Sequence, residues 1–158
     1  MPKPPPTPRN QADIDRLAHA YLDAEYRWAR DGDWHDIRVG LPVPALELVY
    51  PGVDCFGLLS AWDPYSIPRD EAINRSEDEA LAAALGGHGF QHLPAFSSAA
   101  NRSWREPGWL VLGIDTGRLD ELARRFEQLG TLWWPRNGAV RLRMLAARPP
   151  QFRREAAI

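Results

Sequence analysis

The sequence predicts an α+β fold: a mixed, largely antiparallel sheet covered by helices in a single domain. Three observations carry this. "CFGLLSAW" and "WLVLGID" are continuously apolar and bounded by turn residues, as buried strands are. Asp31-Gly32 and Asn137-Gly138 tolerate the positive φ that tight hairpin turns demand. The order of elements (helix, hairpin, short helix, strand, helix, two strands, helix, hairpin) is neither strict βαβ alternation nor all-β, which leaves helices laid on one face of a sheet.

Taking the elements in order, five prolines in the first eight residues forbid helix, so residues 1–10 read as a disordered, Pro-rich arm. Asp13 begins a helix whose Ile14, Leu17, Tyr21 and Ala24 recur at three- and four-residue steps. Tyr26 and Trp28 then lead through Asp31-Gly32 into a hairpin; a competing reading runs the first helix on to Arg30. Pro44 suits the first turn of a short helix in "PALELVY", which Pro51-Gly52 ends.

Arg69 to Leu85 is a helix with Asp70 and Glu71 in its first turn, where the dipole favours acids, and Gly86-Gly87 beyond it. "GFQHLPAF" reads as a strand and Ser97 to Arg105 as a polar loop. Thr116 caps a helix with Leu119, Leu122, Ala123 and Phe126 on its buried stripe. "TLWWP" and "AVRLRML" flank the Asn137-Gly138 turn as a final hairpin, with one of Trp133 and Trp134 in the core and the other at its edge. Residues 11–147 form the single domain, and 148–158 a basic tail.

Composition narrows the function classes. A hydrophobic share of 44% with 25% charged residues is that of an ordinary globular chain, and no run approaches the roughly 18 apolar residues of a membrane helix. A signal-peptide layout is missing, so the expected compartment is cytoplasmic. Cys55 stands alone, which excludes an internal disulfide and a cysteine-based zinc cage. Residues 118–158 carry nine Arg against four acids, but no Lys/Arg block alternates with aromatics, so nucleic acid is disfavoured as a partner.

His88 and His92 are four apart, yet Gly-Gly-His-Gly precludes the helix that would aim them together, so no metal is assigned. No cofactor is expected either: Gly86, Gly87 and Gly89 follow a helix instead of opening one, the wrong order for a phosphate-cradling loop. Serine nucleophile chemistry lacks its Gly-x-Ser-x-Gly elbow.

What remains is "SAWDPYSIPRDEAIN", residues 60–74. On a helical wheel Ile73, Ala80, Leu81, Ala84 and Leu85 define the buried arc of residues 69–85, and Asn74 and Glu77 fall inside it. Both must meet polar groups, water or a ligand, because a buried amide or carboxylate without a partner costs about 1–3 kcal/mol or more. Trp62, Asp63, Pro64, Tyr65 and Ser66 feed directly into that end. Two readings stand: a structural latch, in which Asp63 or Ser66 caps the helix and Asn74 ties the loop, or a functional pocket. Glu106, just before the other buried strand, is a second acid that pairs with Asp63 if the strand ends meet.

These motifs, in this order, resemble the bacterial family of proteins of unknown function numbered 3293, over about Asp23 to Leu145. The resemblance rests on Ser60-Ala61-Trp62-Asp63-Pro64-Tyr65-Ser66, Asn74, Trp104-Arg105-Glu106 and Phe126-Glu127-Gln128. Asp63 stands where the family pattern has Asn, Glu77 near a basic position, and Gly108 where it has Ser. The resemblance implies a shared site and no particular reaction. Gln128 falls off the buried stripe of its helix and joins the site only if that helix ends before it.

The leading expectation is a cytoplasmic protein whose pocket at the 60–77 strand, loop and helix binds a small polar metabolite, with acid–base chemistry on it as the catalytic extension. Asp63 and Glu106 are then the ionisable, catalytic pair. Trp62, Tyr65, Ser66, Asn74 and Glu77 form the binding set. The alternative is a non-catalytic module that binds a protein partner through the Pro-rich arm or an exposed Trp surface.

Overall fold

The computed structural model of the protein describes residues 11–63, 68–99 and 105–145. The Pro-rich arm and the basic tail from 148 therefore lie outside the described residues, as do Pro64, Tyr65, Ser66 and Trp104.

Turn chemistry decides the first hairpin. Asp31 and Gly32 sit at φ 52 and 82, the left-handed pair a two-residue turn needs, between β1 (Glu25–Arg30) and β2 (Asp33–Ile37). The first helix, α1 (Gln11–Asp23), stops before this hairpin, which excludes its continuation to Arg30. Helix α2 (Pro44–Val49) has Pro44 in its first turn as expected. Strand β3 (Cys55–Leu59) leads to helix α3 (Glu71–Gly87). Strands β4 (His92–Ser98) and β5 (Arg105–Leu112) are longer than read from sequence: Ser97, Ser98 and Arg105 belong to them and not to a loop. Helix α4 (Thr116–Arg125), β6 (Gly130–Pro135) and β7 (Arg141–Met144) complete the chain.

Helices α3 and α4 both start on an aspartate whose side chain accepts a backbone N–H. Asp70 caps α3 through Ala72 N at 3.2 Å, and Asp115, not Thr116, caps α4 through Arg118 N at 2.7 Å. Asp70, and not Asp63, is therefore the cap of α3, and Ser66 lies outside the described residues.

The seven strands form one sheet in the order β2-β1-β4-β5-β3-β6-β7, and every ladder in it is antiparallel. The expected parallel component shrinks to an isolated bridge between Val39 and Val140, where the two edges of the sheet meet. The sheet is curled, and strand alternation gives it two cores. Phe56, Leu58, Leu110, Leu112, Leu132 and Trp134 point into the curl with Tyr26, Trp28 and, from α2, Leu46. Leu59, Val111 and Ile114 face outward against Leu81 and Leu85 of α3 and Leu119, Leu122 and Phe126 of α4. Trp134 is fully buried and Trp133 half-buried at the edge of the outer core, as the pair was expected to divide.

Helix α4 lies close on β3. A Cβ on Gly57 would stand 2.7 Å from Ile114 Cγ2 and 3.4 Å from Leu119 Cδ1, so only glycine lets this approach happen. Among the described residues no helix is long and apolar enough to cross a membrane.

Candidate functional site

Because β3 and β5 are antiparallel neighbours, the carboxyl end of one lies beside the amino end of the other. Asp63 and Glu106 therefore occupy the same end of the sheet. The first turn of α3 arrives there as well.

Asn74 is 1% exposed and uses its whole amide. Its Oδ1 accepts from Asp63 N (3.0 Å) and Arg69 Nε (2.9 Å); its Nδ2 donates to Asp63 Oδ1 (2.8 Å) and Arg69 O (3.2 Å). Asp63 Oδ1 also accepts from Arg69 N at 2.9 Å, and Arg69 Nη2 reaches Ala61 O at 2.9 Å. This closes the ends of the loop onto α3 and holds Asp63 at φ 42, a left-handed conformation that aspartate tolerates when locally bonded. Four bonds exhaust an amide's capacity. Asn74 thus latches the ends of the loop to α3.

Two sequence expectations about α3 need correction. Ile73 is 49% exposed and lies off the buried arc, and Glu77 is only half-buried, on its flank. The inward line is Asn74, Leu81 and Leu85. Asn74 lies about 20° from both leucines on the wheel, whereas Ile73 is about 100° from their mean direction. Asp78, which was not singled out, borders this line and accepts from Trp109 Nε1 at 3.0 Å; burial pushes its carboxyl up, that hydrogen bond pulls it down, and Glu79 raises it.

Glu106 lies on the other side of the same junction and lines a cavity of about 30 Å³ with Tyr21, Tyr26, Ser60, Ser97, Gln128 and Thr131 among its neighbours. That space holds one or two water-sized groups. Burial, and then the charge of Asp63, raise the Glu106 carboxyl from 4.5 to about 8, so it is largely protonated at neutral pH. Burial, Tyr21 and Glu106 in turn lift the Tyr26 phenol above the usual range. The hydroxyl of Thr131, a residue 2% exposed, is buried without a hydrogen-bond partner among the described residues.

Gln128 joins this site because α4 ends at Arg125. Glu127 takes φ 57, Gln128 N returns to Ala123 O at 2.8 Å, and the side chain turns in to donate to Trp62 O and Phe126 O, both at 3.2 Å. Ser60 ties the strands together, donating to Pro107 O at 2.8 Å and accepting from Trp62 N at 2.9 Å. Trp62 is half-buried and enters the described bonding through its backbone.

A larger groove of about 340 Å³ runs between the end of α1 and the β1–β2 pair. Its arginines are paired: Arg27 bonds Asp36 at 3.0 Å and approaches Glu25 at 3.5 Å, and Arg38 lies 3.9 Å from Asp36, while Glu25 Oε2 is buried without a hydrogen-bond partner among the described residues. The smaller cavity is the one that holds a carboxyl raised toward neutrality, with Tyr26 on the wall of both.

Sequence reasoning thus selected Asp63, Glu106, Asn74 and Trp62, which the fold brings together. It did not select Tyr26, Ser97 or Thr131, whose only signal was alternation on strands whose neighbours were unknown, and it used Ser60 only as the start of a motif. His88 ends α3 as its C-cap and His92 stands in β4 with its ring against Trp109, so the two do not project alike from one strand. Cys55 is half-buried and donates to Ile114 O.

Fold and site together define an α+β protein with a curled antiparallel sheet and a buried acid at one end of it. Residues 59–130 match the family described as "Protein of unknown function (DUF3293)". That match bears out the family resemblance and contains the first, second and last motifs whole, with Glu106 between them. Comparison with curated proteins and with solved structures found no match.

Proposed function

We propose that the protein binds a small polar metabolite by taking one polar end group into the cavity beside Glu106, and that Glu106 is its acid–base group. The observation supporting this is Glu106 itself: an acid titrating near neutrality, lining a cavity at the junction of the family motifs. At about 30 Å³ the space suits an end group and not a whole metabolite. In this reading Asp63 does not transfer protons. Its Oδ1 is held by Arg69 and Asn74, and its charge tunes Glu106. Asn74, Arg69 and Gln128 are positioning residues, and Trp62 supplies backbone to the frame.

The test is a thermal-shift screen of polar metabolites against the wild type and Glu106→Gln, which keeps the shape and removes the titration. A ligand that raises the wild-type Tm and loses most of that effect in the variant supports the site. A screen in which no compound distinguishes the two proteins leaves the junction as a structural latch alone.

A further inference from the structure

The reading above leaves the chemistry of the end group open, and the hydrogen bonds around the cavity restrict it. Several of its donors are already committed to backbone carbonyls. Tyr26 donates its hydroxyl to Tyr21 O, Ser60 to Pro107 O, and Gln128 both amide hydrogens to Trp62 O and Phe126 O. What these side chains still offer is oxygen: the Tyr26 phenol oxygen and the Gln128 Oε1. The unpartnered Thr131 hydroxyl can accept as well as donate, and Glu106, once ionised, adds two acceptor oxygens. With Glu106 ionised, acceptors outnumber uncommitted donors, and an occupant rich in hydrogens suits the wall best.

It must also suit the charge. Among the described residues, none that lines the cavity is cationic. Arg105, next to Glu106 in the chain, projects from the opposite side of β5, with its guanidinium 3.8 Å from the Phe96 ring and 5.2 Å from that of Trp34. Arg69 is spent on Asn74 and Ala61 O, and Arg143 pairs with Asp120 at 2.6 Å. The titratable and charged groups that act on Glu106 are Tyr26 of β1 and Asp63 after β3, with Tyr21 of α1 beside them on the cavity wall. None of them carries positive charge.

We propose that the cavity is a binding site for the ammonium group of a primary amine, held by Glu106, Thr131 and Gln128 with the rest of the amine outside. An ammonium is close to water in size, brings three hydrogens and no lone pair, and supplies the positive charge the wall lacks. A carboxylate would face an acid under the field of Asp63. An amide brings hydrogens but no charge, and so leaves the ionised Glu106 without a counter-charge. This inference rests on the polar-ligand site proposed above and specifies its ligand class.

The experiment uses the full chain with ethylammonium chloride, acetamide and sodium acetate at matched ionic strength, followed by thermal shift and calorimetric titration. Ethylammonium should bind, and bind more tightly at about pH 9 than at about pH 6, because a proton on Glu106 competes with it; the expected loss toward the lower pH is tenfold or more. Glu106→Gln should abolish binding, and Thr131→Val, of nearly the same shape, should weaken it several-fold. Acetamide or acetate binding in preference, while still depending on Glu106, overturns the ammonium assignment and leaves the polar-ligand site standing. Ethylammonium binding that is undiminished in both variants, or that strengthens as pH falls, overturns it too. If none of the three probes binds the assignment fails, and if the metabolite screen is also empty both proposals fail.

Discussion

At the scale of single residues, the informative contrast is between two side chains that the sequence treated alike. Asn74 and Glu77 both fall on the inward half of a helical wheel. The fold gives Asn74 four hydrogen bonds, whereas Glu77 stays half in water. A wheel reports direction and not what lies in that direction. Glu106 shows the same limit. Its neighbours come from β1, β4 and β6, so nothing local marked it as more than an acid before a proline. Its raised titration has a global consequence with a definite sign. Between pH 4.5 and about 8 the folded protein keeps a proton that the unfolded chain has lost. The native state then binds more protons, so stability falls as pH rises through that window, by up to about 5 kcal/mol if Glu106 acts alone. Urea denaturation at the two ends of the window should show this fall in the wild type. In Glu106→Gln the Glu106 share disappears, and an equal slope in both proteins would refute the buried-acid description.

At the scale of elements, the hairpin at Asp31-Gly32, the short helix at Pro44 and the buried stripe of α4 were legible because each is decided within a few residues. Strand lengths were not, since β4 extends through Ser98 by pairing with both β1 and β5, with Glu25 and Arg105 opposite Ser98, and β5 extends from Arg105 by pairing with β4. Gly108 shows a departure from the family pattern acquiring a physical reason. A Cβ there would lie 2.8 Å from Leu59 O, a backbone atom that cannot move aside cheaply, so this β3–β5 contact has no room for serine. The loop between β3 and α3 depends on the Asn74 latch more than on the helix cap. Removing the amide in Asn74→Ala strands Asp63 N and takes one bond each from Asp63 Oδ1, Arg69 Nε and Arg69 O, a buried loss worth about 2–4 kcal/mol. Glu77→Ala should cost less than about 0.5 kcal/mol. Chemical denaturation of the two variants compares them directly, and equal costs would mean that the latch does not hold the loop.

For the molecule as a whole, the α+β class followed from patterning, but the curl did not, because strand order depends on contacts between distant segments such as β1 with β4. Two hydrophobic cores on opposite sides of one sheet require that sheet to bend around the inner one. Phe56, Trp134 and Leu46, all fully buried, are then enclosed where a flat sheet would leave a face to cover. The bend brings the two edges together at Val39 and Val140, with Gly40 N donating to Val140 O at 2.8 Å and Val140 N to Leu41 O at 2.9 Å. Edge strands normally exchange their amide hydrogens fast, and joined edges do not. The Gly40 and Val140 amides should therefore be protected in hydrogen exchange to a degree comparable with β3 and β5. Gly40 sits at φ +90, where a side chain is strained by about 1–2 kcal/mol, so Gly40→Ala should speed exchange at both amides while leaving the inner strands protected. Fast exchange at these two positions in the wild type would mean that the edges do not stay joined, and the inner core would then need another cover.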